Sequence, residues 1–172
     1  FLSNHPKVNI KYLCAQKNLG KRIQFFNNKI KKKLPKISNL KKVNWKNIDV
    51  LFTALPTGES QEIANFLKYK TIKIIDLSAD FRLSNPITYK KFYGKDHKAK
   101  GLIKNSLYSL SEFARNDILK YKIIACPGCY PTSIQLPLFP LIKNNLINKN
   151  NIIIDAKSGY SGAGKNIKKK FK

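Results

Sequence analysis

The chain has 172 residues, enough for one ordinary domain with its own core, and its 42% hydrophobic and 11% aromatic content is that of a globular protein. Its 34 Lys+Arg against 9 Asp+Glu give a net charge of +25, yet only Arg22, Arg82 and Arg115 are arginines, and lysine is scattered through every segment among Asn and Ile. Specific nucleic-acid readers lean on arginine forks in a local patch, so the charge reads as drift at exposed sites, with weak salt-sensitive attraction to polyanions and no specific nucleic-acid partner. Three cysteines cannot form a complete disulfide framework. Nothing resembles a secretory apolar region or a membrane span, and a reducing cytoplasm without a membrane partner is expected.

In chain order, residues 1–6 read as the tail of a helix, and no Met occurs anywhere. The first apolar run, residues 8–14, predicts a strand; Lys17 follows it. Residues 27–46 are lysine-rich with scattered Leu and Ile and read as a solvated loop or irregular helix. A second strand is predicted over 48–54, followed by Leu55, Pro56, Thr57 and Gly58. From there Ile63, Ala64, Phe66 and Leu67 have helical spacing over 59–69, and a third strand follows over 71–77. Ser78-Ala79-Asp80-Phe81-Arg82 comes next. Residues 85–107 mix Tyr, Phe, Lys and Gly without clear period and read as an excursion over the sheet end.

A fourth strand is predicted over 121–125, and Pro127-Gly128 ends it. Pro131 suits a first helical position, which puts Cys129 within about a turn of a helix N-terminus, where the dipole favours anions. Pro137 and Pro140 should kink or shorten that helix. A fifth strand over 151–156 leads to Ser158-Gly159-Tyr160-Ser161-Gly162-Ala163-Gly164, and a basic run over 168–172 closes the sequence. Both ends read as cut. Strands alternating with helices predict a parallel sheet covered on both faces. Ligands in such sheets sit beyond the carboxyl ends of the strands, which here carry residues 55–58, 78–82, 126–132 and 158–164.

Cys129 is the strongest chemical candidate. A free thiol with a pKa near 8.5 is only about 3% thiolate at pH 7, and a helix N-terminus raises that fraction. The pair Cys126 and Cys129 also has Cys-x-x-Cys spacing, which allows a thiol-disulfide module or, with Cys14, His5 and His97 as the other usual donors, a zinc site lacking a second close pair. Asp76 and Asp80 flank a strand end, where they read as a paired carboxylate, as turn caps, or with Asp80 pairing Arg82 to fix the loop as an alternative to capping.

Several stretches together match one family. Ile75-Asp76-Leu77-Ser78-Ala79-Asp80-Phe81-Arg82-Leu83, then Tyr93-Gly94 with His97, then residues 126–132 and 158–164, resemble the N-acetyl-gamma-glutamyl-phosphate reductase family in order and spacing over nearly the whole chain. Cys126 stands where that family usually has Asn, Pro137 where it has a small residue, and Ser109-Leu110-Ser111-Glu112 where it has Gly-Leu-Pro-Glu.

The resemblance implies an incomplete α/β Rossmann-like parallel sheet over residues 1–150, including the nucleophile turn. It leads into a second α+β domain like that of glyceraldehyde-phosphate dehydrogenase, of which residues 151–172 are the start. It implies NADP as cofactor and a small acyl phosphate as substrate, reduced to an aldehyde in arginine biosynthesis through a Cys129 thioester. A homo-oligomer is implied for the complete protein. Its glycine-rich phosphate turn is expected before Phe1 and its acid-base histidine after Lys172, so the chain alone is expected not to turn over. Leu55, Pro56, Thr57, Gly58, Ser158, Gly159 and Gly162 are the cofactor candidates, and Lys17 either meets the 2'-phosphate or is one lysine among many. Arg82, Tyr130 and Thr132 are the substrate candidates, with backbone N–H groups over 130–132 available to a developing oxyanion. His97 is read as structural before catalytic. The nearest rival is a reductase of the same chemistry, such as aspartate-semialdehyde dehydrogenase.

Overall fold

The structure, a computed structural model, describes residues 1–159 and Gly162. The chain divides into two compact units, Phe1–Leu51 and Phe52–Lys172. In the first, β1 (Leu13–Cys14) pairs in parallel with β2 (Ile37–Ser38), and short 3-10 turns at Leu2–Asn4, Ile23–Phe25, Leu40–Lys42 and Trp45–Asn47 make up most of the rest. The strand expected over 8–14 is thus confined to its last two residues. The alternation of Val8 and Ile10 with polar neighbours is real, but among the described residues no strand lies alongside them. Residues 27–46 are irregular as expected, apart from β2.

The main sheet has four strands, β3 (Val50–Thr53), β4 (Lys73–Asp76), β5 (Ser106–Tyr108) and β6 (Ile123–Ala125), in the order β3-β4-β6-β5. β6 is parallel to both its neighbours, with Ile123 opposite Ile74 and Ser106 and Ala125 opposite Asp76 and Tyr108. Position in the sheet explains composition. Central β6 is buried at all three residues, and β4 buries Ile74 and Asp76 while Lys73 and Ile75 are half-buried. Apolar β-branched runs suit a sheet covered on both faces. Helix α1 (Glu59–Phe66) connects β3 to β4 and buries Ser60, Gln61 and Ala64. Gly58 turns the chain into it at φ 99, a left-handed angle that favours glycine.

Residues 85–107 are more ordered than expected. They form α2 (Pro86–Tyr93), a 3-10 stretch at Lys100–Asn105 and the edge strand β5. The helix begins on Asn85, whose side chain accepts the N–H groups of Ile87 and Thr88, has Pro86 in its first turn, and ends on Gly94 at φ 67. These are standard start and stop signals in only eight residues, too short for a helical period to stand out.

Helix α3 (Cys129–Lys143) starts two residues earlier than expected, on Cys129 itself, with Gly128 as its N-cap. Pro131 is therefore third, where its missing N–H would have had no intrahelical partner anyway. The helix is not cut short at Pro137 or Pro140 but runs through both to Lys143. No strand forms over 151–156. Those residues are exposed and, among the described residues, no strand lies beside them, so an apolar run alone does not make a ladder. The sheet with helices between its strands is a Rossmann-like α/β fold. Among the described residues no helix is long and apolar enough to cross a membrane.

Candidate active site

The carboxyl ends of β3, β4 and β6 lie side by side, and the loops leaving them interlock. Leu77 N–H donates to the Thr53 carbonyl and Cys126 N–H to the Asp76 carbonyl, each at 2.8 Å, so the three chains leave the sheet in register. Asp76, buried at the end of β4, accepts from the Thr53 hydroxyl at 2.7 Å and from the N–H and hydroxyl of Ser78 at 3.0 and 2.9 Å. It caps a turn. A paired-carboxylate catalyst is not what this geometry makes.

Asp80 does the same for α1. Its carboxyl accepts the N–H groups of Gly58 at 2.7 Å and Gln61 at 3.3 Å, together with the Tyr89 hydroxyl at 2.9 Å. The expected Asp80–Arg82 pair does not form, because orphan N–H groups at a helix start and a buried hydroxyl claim that carboxyl instead. The positive end of the α1 dipole thus already faces a negative group. The loop of Leu55, Pro56, Thr57 and Gly58 consequently leads into a helix start whose Gly58 and Gln61 N–H groups are already taken. Pro56 is exposed, Leu55, Thr57 and Gly58 are half-buried, and a Cβ placed on Gly58 would meet nothing within 4 Å.

His97 belongs to this same buried cluster. Its Nδ1 accepts the Ala99 N–H at 3.1 Å, which puts the ring proton on Nε2, 2.9 Å from the Asp80 carbonyl. Burial lowers its pKa from the usual imidazole value, partly offset by the Asp80 carbonyl bond. Tyr89 packs edge-on against the ring, donates to Asp80, and accepts from Gln61 Nε2 at 2.7 Å. Burial and the Asp80 contact push the Tyr89 hydroxyl well above its ordinary pKa. His97 fixes the Ser78–Arg82 segment from behind, and it is 2% exposed, out of reach of a substrate.

Arg82 turns the other way, toward β6. Its Nε donates to the Cys126 carbonyl at 2.9 Å and its Nη2 to the Leu77 carbonyl at 3.0 Å. It lies so close over the next turn that a Cβ on Gly128 would come within 3.2 Å of Nη1. No sequence pattern announces this contact, since it joins residues 44 apart.

Cys129 is exposed at the first position of α3, while Cys126, three residues earlier, is half-buried. Burial, with Asp76 nearby, pushes the Cys126 thiol up, and Arg82 opposes part of that. All three cysteines, Cys14 included, are free. Of the backbone donors expected over 130–132, Pro131 has no N–H, and the Thr132 N–H is taken by the Gly128 carbonyl at 2.9 Å. The unclaimed first-turn donors are those of Cys129 and Tyr130, for which no acceptor occurs among the described residues. Ser158 and Gly159 are exposed, and Gly162 N–H donates to the Gly159 carbonyl at 2.9 Å. Tyr160, Ser161, Ala163 and Gly164 lie outside the described residues, as does the basic run over 168–172. Lys17 is exposed in the first unit. Among the described residues no group of three or more His, Cys, Asp or Glu is placed to hold a metal ion.

A parallel Rossmann-like sheet with an exposed cysteine opening a helix just beyond its central strand defines the class, and the chain belongs to the semialdehyde dehydrogenase family. Residues 1–121 match the family model for the semialdehyde dehydrogenase NAD binding domain, and residues 129–172 match that for the dimerisation domain. Among individual relatives, the probable chloroplastic N-acetyl-gamma-glutamyl-phosphate reductase of Arabidopsis thaliana is 46% identical over 97% of this chain and 42% of its own length. The corresponding protein of Oryza sativa subsp. japonica is 46% identical over 97% of this chain and 40% of its own. The N-acetyl-gamma-glutamyl-phosphate reductase of Ehrlichia canis (strain Jake) is 45% identical over 95% and 47%. The chain spans less than half the length of these relatives.

Proposed function

We propose that this chain carries the nucleophile-bearing portion of an NADPH-dependent N-acetyl-gamma-glutamyl-phosphate reductase, with Cys129 as the nucleophile. One observation carries the reading: an exposed thiol stands at the first position of a helix directly after the central strand, with unclaimed backbone N–H groups beside it. The names of the relatives supply the substrate.

Cys129 sulfur attacks the acyl carbonyl carbon, a C–S bond forms, and the C–O bond to phosphate breaks with inorganic phosphate leaving. Negative charge on the carbonyl oxygen during attack is met by the N–H groups of Cys129 and Tyr130 and by the positive end of α3. Thr132 supports this turn by closing its first hydrogen bond. A bound reduced nicotinamide would supply hydride chemistry at the thioester carbonyl carbon, and cleavage of the C–S bond with Cys129 leaving as thiolate would be the step that releases the aldehyde. The loop of Leu55, Pro56, Thr57 and Gly58 leaves the carboxyl end of β3, the edge at which sheets of this kind bind ligands. We assign that loop, with Ser158, Gly159 and Gly162, to the cofactor. We place the dinucleotide-binding part over residues 1–150, with the nucleophile turn, and the catalytic and dimerisation part from residue 151 on; the dimerisation-domain match begins earlier, at residue 129, and so already takes in α3.

Such an enzyme acts on a small soluble substrate, and we propose a cytoplasmic homo-oligomer for it, in keeping with the free cysteines and the dimerisation-domain match. The test is replacement of Cys129 by Ser in the intact gene product. Phosphate-dependent oxidation of N-acetylglutamate semialdehyde by NADP should fall by at least about a thousandfold, as loss of a covalent nucleophile does. Activity on aspartyl phosphate and none on the N-acetylglutamyl substrate would overturn the choice of substrate.

A further inference from the structure

We infer that the end of the main sheet remote from Cys129 is a docking groove for an acidic peptide segment of a partner protein, built by the turn that enters β4 and the 3-10 turn that enters β6.

β4 begins at Lys73 and β6 at Ile123, with the 3-10 turn Ile118–Lys120 just before it. The segments leading into the two central strands share a cleft of about 370 Å³. Lys70, Lys73, Lys120 and Lys122 line it with Leu119 and Tyr121, and no lining residue is acidic. Half of the lining residues are lysines, whereas Lys and Arg together make up about a fifth of the chain, so an even scatter of charge does not account for this concentration.

Two of the four lysines are half-buried, unlike charge that has drifted onto an open surface. Lys73 Nζ donates to the carbonyls of Ile118 at 2.9 Å and Tyr121 at 2.6 Å, and Lys122 Nζ donates to the Lys70 carbonyl. Among the described residues neither has a carboxylate partner, and the ion pair at this end, Lys120 with Asp117 at 2.8 Å, is exposed on both sides. Burial lowers the Lys122 pKa from its usual value, as expected of an ammonium that has lost water without gaining a counter-charge. A carboxylate seated in the cleft supplies that charge.

The rim adds apolar anchors. Leu119 is 82% exposed and Tyr69, next to Lys70 in sequence, is 90% exposed. Large apolar side chains standing in water beside a cationic cleft suit a segment in which carboxylates flank an apolar or aromatic residue. Nucleic acid fits less well, because the lining has no arginine to fork onto phosphates or bases. The catalytic loops leave the opposite ends of these strands, so an occupant here keeps the active site open.

The test uses the intact gene product and a fluorescein-labelled short peptide of glutamates around one central phenylalanine, followed by fluorescence anisotropy at about 150 mM salt, where long-range attraction is largely screened. Saturable binding is expected with a Kd below about 100 μM. Lys70→Glu with Lys120→Glu, both exposed, should weaken it by at least about tenfold; Lys31→Glu with Lys33→Glu, which makes the same change of charge at exposed sites in the first unit, should weaken it by less than about twofold. Leu119→Ser, which alters no charge, should weaken binding of this peptide by roughly three- to tenfold and of a serine-centred version by less than about twofold, and it serves if melting temperatures show that a lysine variant does not fold. Equal weakening by the two lysine pairs would return the attraction to diffuse net charge and overturn the inference, as would the absence of saturable binding. An oligouridylate of the same charge that binds as tightly and is lost in the same variants would make the cleft a nucleic-acid site and overturn it too.

Discussion

Replacing Asp80 by Asn probes the joint between the sheet and its first helix with little change of shape. In the native arrangement Oδ1 accepts Gly58 N–H and the Tyr89 hydroxyl, and Oδ2 accepts Gln61 N–H. Asparagine can keep one oxygen in place, but its amide nitrogen then meets a donor where an acceptor is needed. At least one buried donor, Gln61 N–H, is left facing another, and each such group costs about 1–3 kcal/mol. Loss of the negative charge at the start of α1 adds roughly 0.3–1 kcal/mol. A destabilisation of about 1–4 kcal/mol follows, a sizeable part of the 5–15 kcal/mol typical of a folded domain. Equilibrium urea unfolding of the intact gene product, followed by circular dichroism, should show the midpoint falling with an unchanged slope. Asp96→Asn is the control: its partner Lys90 is 3.1 Å away and both side chains are exposed, so it should stay within about 0.5 kcal/mol of wild type. An Asp80→Asn protein as stable as that control would refute the capping role.

His97 gives a pH signature. Its folded pKa is lowered by burial, so the unfolded chain binds a proton that the folded one resists. Its contribution to stability is whole above the unfolded value of about 6.5 and is lost as pH falls from there toward the lower folded value. In that window stability should rise with pH at up to about 1.4 kcal/mol per pH unit, and His97→Gln should flatten the slope; an unchanged slope would contradict the burial argument. Cys126 is pushed up by burial, so iodoacetamide at pH 7.5 should label Cys129 before Cys126, and Cys126→Ala should leave kcat within about threefold of wild type. The Cys-x-x-Cys spacing of Cys126 and Cys129 allows a thiol-disulfide module, and mass spectrometry of peroxide-treated protein with both thiols still unpaired would remove that reading.

Much of this was written in the sequence where burial dictates composition. β4 and β6 show as apolar runs because they are the central, buried strands of the sheet; β3 is apolar too, though it lies at the edge and exposes Val50 and Phe52. Cys129 shows because Pro127-Gly128 cannot continue a strand. The helix Pro86–Tyr93 carried its signals too, Asn85 and Pro86 at one end and Gly94 at the other, but aromatic and lysine residues blurred its period. Residues 151–156 misled in the opposite sense: three isoleucines in a row look like a strand, yet a strand exists only beside another, and Ile153 is 92% exposed. The partners of Asp80 and Arg82 were hidden for a different reason. Spacing of two residues suggested that they meet each other, while the backbone groups that claim them come from α1 and from β6, brought close only by the sheet order. Long-range satisfaction of main-chain donors and acceptors leaves no local trace in sequence.

Covalent capture at one atom tests the nucleophile role of Cys129 most directly. The intact gene product, mixed with N-acetylglutamyl phosphate in the absence of NADPH, quenched in acid and digested, should give a single acylated peptide containing Cys129 and release one phosphate for each acyl group bound. Acylation at any other residue, or none in a preparation that turns over when NADPH is added, would contradict it.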